Sequence, residues 1–410
     1  MAKYSILYSG QYGFRSNHDT TMAVVDMVDK ITAAMDSSSY SLGIFIDLSK
    51  AFDTLNHKIL LAKLNYYGIR GIALDWFVSY LTNRYQYVEY NGIKSSQLNI
   101  TCGVPQGSVL GPVLFLVYIN DIVNVSKVLQ LILFADDTNI FLSDMNLDRL
   151  MSIANCELAL MENWFTANKL SLNLSKTKFI IFCSSKKQCA KKQVKLKLND
   201  VEIEQVCSVK FLGVNIDERL SWDKHIQQVA SKLSKNIGIL AKLKYTVPQK
   251  VLCMVYNSLV LPYLSYCNLV WACNSINKLN PIIVLQKRAV RIILKAELRA
   301  HSSSLFKKLD LLKVTDICCF QTSLFMYKFL QSQLPCKFND YFSHVSSVHH
   351  YITRNSTLAF MLPFCRTSIR QKGIRYQGPF IWNNLPSDIK LADSTAAFKN
   401  LYKQYLTNKY

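Results

Sequence analysis

The segment LILFADDTNIFL, Leu131–Leu142, decides how this chain is read. Two adjacent carboxylates, Asp136 and Asp137, sit between apolar runs that favour strands. An unpaired carboxylate in such surroundings costs several kcal/mol or takes up a proton. A tight turn between two strands would aim successive side chains at one point, where a divalent cation could offset their desolvation. Hard ions such as Mg²⁺ prefer carboxylate oxygens. Two of them, about 3.5–4 Å apart, can activate a hydroxyl and stabilise a leaving oxygen in phosphoryl transfer. Such a pair calls for a third acid. Asp47 ends another apolar run, SLGIFIDLS (41–49), and two neighbouring central strands would carry it to the hairpin tip. Taken singly, DDTN is equally a solvated turn and Asp47 equally a helix cap.

Working outward, the 410 residues suffice for two or three domains, and half of them are hydrophobic. Charge is unevenly spread. Residues 1–185 carry 14 Lys+Arg against 15 Asp+Glu, a net of −1; residues 186–410 carry 34 against 12, a net of +22. A near-neutral half joined to a very basic half suggests a catalytic body with a polyanion-binding extension. The 12 cysteines show no CxxC pair or Cys/His zinc spacing and read as reduced core thiols of an intracellular protein, nuclear, cytoplasmic or both. No signal-peptide core is visible. The uncharged stretch 251–273 contains Asn257, Pro262 and Asn268 and reads as a buried helix pair broken near Pro262, not a membrane span.

Along the chain, DTLNHKILLAKLNYYG has helical spacing with a cap at Asp53 or Thr54 and a stop at Gly68. IALDWFVSYLTNR reads as a second helix. YQYVEYNG and SQLNIT flank a Gly-containing turn and read as a hairpin. CGVPQGSVLGP is a loop before an apolar helix, and residues 147–167 are helical. LSLNLSKTKFIIF and VKFLGVNI read as strands around the basic loop KKQCAKKQ, and mostly helix follows from Arg219. Strands and helices mix without a βαβ rhythm, so the fold class is α+β. On a helix from Ser221, Ile226, Val229, Leu233, Ile237 and Leu240 share one face, and Lys224, Lys235 and Lys242 the opposite one. In VLQKRAVRIILKAELR, Lys287, Arg291, Lys295 and Arg299 recur at spacings of four. With the basic net charge, both sets read as phosphate contacts.

GIFIDLSKAFD, GVPQGSVLGPVLFLVYINDI and LILFADDTNIFL, in that order, resemble the reverse transcriptases of non-LTR retrotransposons of the LINE, jockey or CR1 type. The resemblance covers about 10–217 and extends weakly into the later segments, among them RYQGPFIWNNLP. It implies a right-hand polymerase: partial fingers and palm over 1–217, a helical thumb-like region over 218–300 and a basic C-terminal region over 301–410. It implies an RNA-directed DNA polymerase working on an RNA template, a DNA primer and dNTPs with two Mg²⁺ ions (Mn²⁺ as a substitute), with no membrane and no stable protein partner. Asp47, Asp136 and Asp137 match the family's metal-binding triad, with the Leu48 carbonyl as a further ligand. Phe52 matches the gate against a ribose 2′-OH, which is compatible with a core aromatic. Pro105, Gln106 and Gly107 match the loop lining the nucleotide pocket, and Ala135 the small residue beside the primer end. Lys176 matches the lysine that protonates departing pyrophosphate, with Lys178 as the fallback. Phe211, Leu212 and Gly213 match the primer grip; Gln11, Gly13, Phe14 and Arg15 match a fingers motif that contacts template. The family's preceding fingers strands are missing, so an N-terminally truncated element is expected. The alternative is a catalytically incompetent remnant that binds nucleic acid.

Overall fold

The computed structural model describes residues 6–184, 195–273, 275–345 and 358–410; the basic loop KKQCAKKQ lies outside them. The chain divides into two compact units, residues 1–19 with 39–207, and residues 20–38 with 208–410. The division falls ten residues before the expected boundary at 217. Residues 218–300 and 301–410 pack within one unit, not two.

The first unit is built around YSLGIFI, Tyr40–Ile46, whose run of apolar residues without polar alternation marks a strand covered on both faces. It pairs antiparallel with Asp137–Asp144 on one side and with Lys178–Phe182 on the other. The five-stranded sheet runs Glu204–Gln205, Lys178–Phe182, Tyr40–Ile46, Asp137–Asp144, Gln130–Phe134, and only its first pairing is parallel. Alternate residues Leu42, Ile44 and Ile46 join Ile140, Leu133 and Ile181 in one core. Two helices cover that face, Leu110–Ile119 through Leu114 and Phe115, and Leu147–Ala167 through Leu150, Leu158 and Met161. Each such buried side chain contributes about 1.5–3 kcal/mol. The class is α+β, as the sequence implied.

Two local expectations change. The helix after Asp47 is His57–Tyr66, capped by Asn56, whose side chain accepts the Ile59 N–H. Asp53 and Thr54 do not cap it because their N–H groups bond back to Lys50 O, closing a turn of their own. The expected hairpin forms, Tyr85–Gln86 pairing with Leu98–Asn99 and Glu89–Tyr90 with Ile93–Lys94. Its tip is Asn91-Gly92, both at positive φ, as two-residue hairpins favour.

In the second unit the helix Thr20–Asp36 is held by residues more than 330 positions later. Asp29 receives Arg370 at 2.7 Å and Arg375 at 2.8 Å, and Asp36 accepts from the Thr367 N–H and hydroxyl at 2.8 Å each. The uncharged stretch forms Gln249–Leu259, Leu261–Ser265 and Asn268–Trp271, with Pro262 opening the middle helix. No helix among the described residues is long and apolar enough to cross a membrane. The helix carrying Lys287 ends at Ile293, earlier than its spacing predicted. Lys295 turns left-handed (φ 52), and the Ala296 N–H closes onto Arg291 O. Lys295 and Arg299 therefore lie beyond the helix and off the row of four-residue spacing. Ten described cysteines are free, four of them exposed, whereas Cys183 is disulfide-bonded, so the reading of all 12 as reduced core thiols is corrected.

Candidate catalytic centre

The hairpin joining Gln130–Phe134 to Asp137–Asp144 turns through Ala135 and Asp136, since Phe134 pairs with Asp137. Thr138 and Asn139 are not turn residues: both are buried in the strand, and the Asn139 amide donates across to Ile132 O at 3.1 Å. On the neighbouring strand Ile46 pairs with Thr138, so the next step along the register sets Asp47 beside Asp137. Facing Cα atoms in such a ladder are about 4.5–5.5 Å apart. One rim of the sheet thus collects Asp47, Asp136 and Asp137.

Burial, then the like charges of Asp136 and Asp47, push the Asp137 carboxyl up to about 6. Asp137 keeps an exposed edge, where solvent screens part of this, but the neighbouring carboxylates push the same way. Asp47 is framed by the segment 171–177. Ser49 N–H bonds Ser171 O and Asn173 N–H bonds Asp47 O, both at 2.8 Å, and the buried Thr177 hydroxyl accepts the Asp47 N–H at 3.4 Å. That pairing leaves the Leu48 carbonyl outside its ladder. Lys176, carried by the same segment, has Nζ 3.8 Å from Asp47 Oδ2, whereas Lys178 pairs with Glu204 at 3.0 Å. Of the two lysines, only Lys176 stands at the rim.

The donors are all hard oxygen, three carboxylates and, next to Asp47 in the chain, the Leu48 carbonyl, and their negative charge suits Mg²⁺ or Mn²⁺. As the side chains stand, no three His, Cys, Asp or Glu residues among those described converge closely enough to hold an ion. Asp47 would have to turn from Lys176 toward Asp137.

Gln11 and Gly13 brace this hairpin. Gln11 is 2% exposed, and its Oε1 accepts the N–H groups of Gly13 (2.8 Å) and Ala135 (3.1 Å). Tyr12 N–H bonds Leu133 O, running the segment along the outer strand. A Cβ on Gly13 would lie 2.3 Å from Ala135 N, so only glycine fits. Ala135 itself is left-handed (φ 54) and 5% exposed. It is packed against this strut. Arg15 donates to the carbonyls of Tyr8 (2.7 Å) and Gln11 (3.1 Å). Of the four, Phe14 is the exposed one, edge-on to Phe52 at 6.3 Å. Phe52 in turn packs 4.7 Å from the buried Phe115 and is anchored as a core aromatic with one side outward.

The loop GVPQG is tied down by Gly103 N–H to Leu55 O and Val104 N–H to Phe52 O, and the Gln106 amide donates to Asp53 at 2.8 Å. Gly107 has φ 81 and open space on every side within 4 Å of a would-be Cβ, next to the half-buried Pro105. In the second unit Leu212-Gly213 forms the turn between Ser208–Phe211 and Val214–Asp217. Phe211 is buried, and the Tyr266 hydroxyl donates to Leu212 O at 2.6 Å. Lys224, Lys235 and Lys242 are exposed along the helix Asp223–Leu243, as its spacing predicted. Arg291 Nε and Nη2 both donate to Ala300 O, which holds the guanidinium against the turn that follows the helix. Lys287 is half-buried and Arg299 exposed. Sequence reasoning missed Thr177, Asn173 and Tyr266; a hydroxyl directly before the apolar run KFIIF was the available signal for the first.

A carboxylate rim on the central strands of an α+β sheet, bordered by a lysine and a Gly/Pro loop, defines a polymerase-type palm. Over residues 2–216, just over half its length, the chain matches the family described as Reverse transcriptase (RNA-dependent DNA polymerase), and it belongs to that family. It is 26% identical over 322 residues to the probable RNA-directed DNA polymerase from transposon X-element of Drosophila melanogaster, covering 75% of this chain and 34% of that one. It is 28% identical to the probable RNA-directed DNA polymerase from transposon BS of the same organism, covering 79% and 36%. With the RNA-directed DNA polymerase from mobile element jockey, also of D. melanogaster, identity is 27%, covering 75% and 34%. The chain thus spans about a third of the length of the curated relatives it matches. Among solved structures, apo telomerase from Candida tropicalis is similar at a TM-score of 0.38 and 14% identity, covering 72% of this chain and 50% of that one.

Proposed function

We propose that the chain carries the nucleotidyl-transfer centre of an RNA-directed DNA polymerase of a mobile element, extending a DNA primer from dNTPs on an RNA template. The observation that carries this reading is the register that sets Asp47 beside Asp137 with Asp136 in the adjoining turn. Bound divalent ions would supply the acidified primer hydroxyl and the neutralised triphosphate. The chain's own work is positioning and charge stabilisation. Asp47, Asp136 and Asp137 supply the oxygens. Lys176, 3.8 Å from Asp47, would give the proton to departing pyrophosphate. Phe52, fixed on Phe115, presents its outward side to the sugar; Gln106 and Gly107 border the nucleotide. The Phe211–Gly213 turn would hold the primer end.

One observation favours a second reading, binding without turnover: the three carboxylates do not converge as they stand. Primer extension on a heteropolymeric RNA template with dNTPs and Mg²⁺ separates the two. Wild-type extension lost about 10³-fold or more in Asp136→Ala, with RNA binding kept, supports the polymerase. Binding without extension by wild type supports the remnant, and extension surviving the substitution removes the triad assignment.

A further inference from the structure

Beside the Asp53–Gln106 pair the first unit opens a cleft of about 740 Å³, bordered by Lys50, Arg84, Tyr85, Gln86, Asn99 and Gln106. Its volume lies in the range of roughly 300–1,000 Å³ usual for ligand sites. Tyr85 is the tyrosine that lines the cleft, and outside it the helix Ile72–Leu81 and the hairpin carry further rings open to solvent. Trp76 stacks on Tyr80 with ring centres 5.4 Å apart and planes 10° from parallel, and the Arg84 guanidinium lies 5.5 Å over Tyr80. Tyr85 follows at 62% exposure, then Tyr87 and Tyr90, the last at 75%. Lys94 lies 5.0 Å over Tyr87. Of the carboxylates here, Asp53 accepts from Gln106 and Glu89 pairs with Lys94 at 3.7 Å, while Asp75 is exposed on the helix.

A row of exposed rings of this kind marks an interaction surface. A protein partner would account for apolar burial, but not for cations laid over the rings beside a polar cleft. Aromatic faces interleaved with Arg and Lys are the chemistry that holds unpaired nucleotides: bases stack on the rings and phosphates meet the cations.

We propose that this cleft and hairpin form a stacking site for single-stranded nucleic acid, the unpaired stretch of the template next to the nucleotide loop. Its assignment to the template rests on the polymerase reading; the stacking site itself does not. Base stacking carries the affinity, so the site takes any sequence and rejects a closed duplex.

The test uses the full chain and fluorescence anisotropy with a labelled mixed-sequence RNA 12-mer, single-stranded or annealed to its complement. Tyr85→Ala and Tyr90→Ala each weaken single-strand binding by about 5- to 100-fold. Tyr85→Phe keeps the ring and binds as wild type, and Arg84→Ala lowers the salt slope by about one. Both tyrosines are exposed, so melting temperatures stay unchanged. Single-strand binding unaffected by either Ala substitution overturns the proposal, as does equal loss for single strand and duplex. Conversion of a wild-type dimer to monomer by those substitutions, in sedimentation, also overturns it and makes the patch an interface between copies. A wild-type chain that binds the 12-mer through these tyrosines but extends no primer would sink the polymerase reading and leave this site standing.

Discussion

The two units use their polar side chains in opposite ways. In the first, with 19 Lys+Arg against 15 Asp+Glu, the carboxylates that matter crowd one rim and a buried amide, Gln11, holds the hairpin beneath them. In the second, with 29 against 12, much of the charge is structural. Arg370 and Arg375 clamp Asp29, Arg291 closes a turn, Lys278 pairs with Asp223 and Lys403 with Asp310. The lesson is that like charges crowded on one rim raise the pKa of the most buried of them, while ion pairs within the fold take up part of the formal basicity.

The comparison breaks most visibly at Asp29. Asp29→Ala leaves two guanidiniums half-buried and unpaired and should lower the stability of the second unit by about 3 kcal/mol. Urea unfolding measures it, and a change below about 1 kcal/mol would mean these arginines reach water instead. In the first unit the matching substitution should affect chemistry more than stability. Gln11→Ala removes the acceptor of two buried N–H groups, worth about 1–3 kcal/mol. The expected readout is a 10- to 100-fold fall in kcat for extension with RNA affinity intact; a fall in affinity with kcat unchanged would return Gln11 to the template.

In the second unit a pH effect rests on His225. Burial, then Lys232, lowers His225 to about 4 from 6.5; it packs on Trp271 and accepts the Asn215 N–H. The unfolded chain takes up this proton first, so the contribution is complete above pH 6.5 and is lost as pH falls toward 4. The loss is of the order of 2–3 kcal/mol. Comparison with His225→Gln, which should lack this slope between pH 6.5 and 4, isolates it. The smallest effect sharpens the charge argument. Lys235→Ala, on an exposed face, should reduce the slope of log K against log salt by about one. Arg291→Ala should lower that slope less than Lys235→Ala, because Nε and Nη2 already serve Ala300 O and hold the guanidinium against its own turn; equal losses by both would restore Arg291 as a phosphate contact.

Much of the first unit was legible in order and composition. Continuous apolar runs marked the central strands, and two acids breaking one run marked the turn, because few arrangements tolerate carboxylates there. The face Ile226–Leu240 was legible for the same reason, its spacing matching 3.6 residues per turn. The capping of His57–Tyr66 was misread because Asp53 and Thr54 had equal local claims, and a turn back to Lys50 decided between them. Lys295 was misread because a left-handed residue has no mark in spacing.

The sequence alone determined the family, the central strands and the acids they end in, since hydrophobic period and motif order are properties of neighbours along the chain. The tertiary structure decided the rest. Only it made Gln11 a strut, paired Lys176 with Asp47 and Lys178 with Glu204, and set helix Thr20–Asp36 in the unit of residues 367–375. Those outcomes turn on hydrogen bonds and ion pairs between residues often more than a hundred positions apart, and no local pattern records which distant partner a side chain will meet.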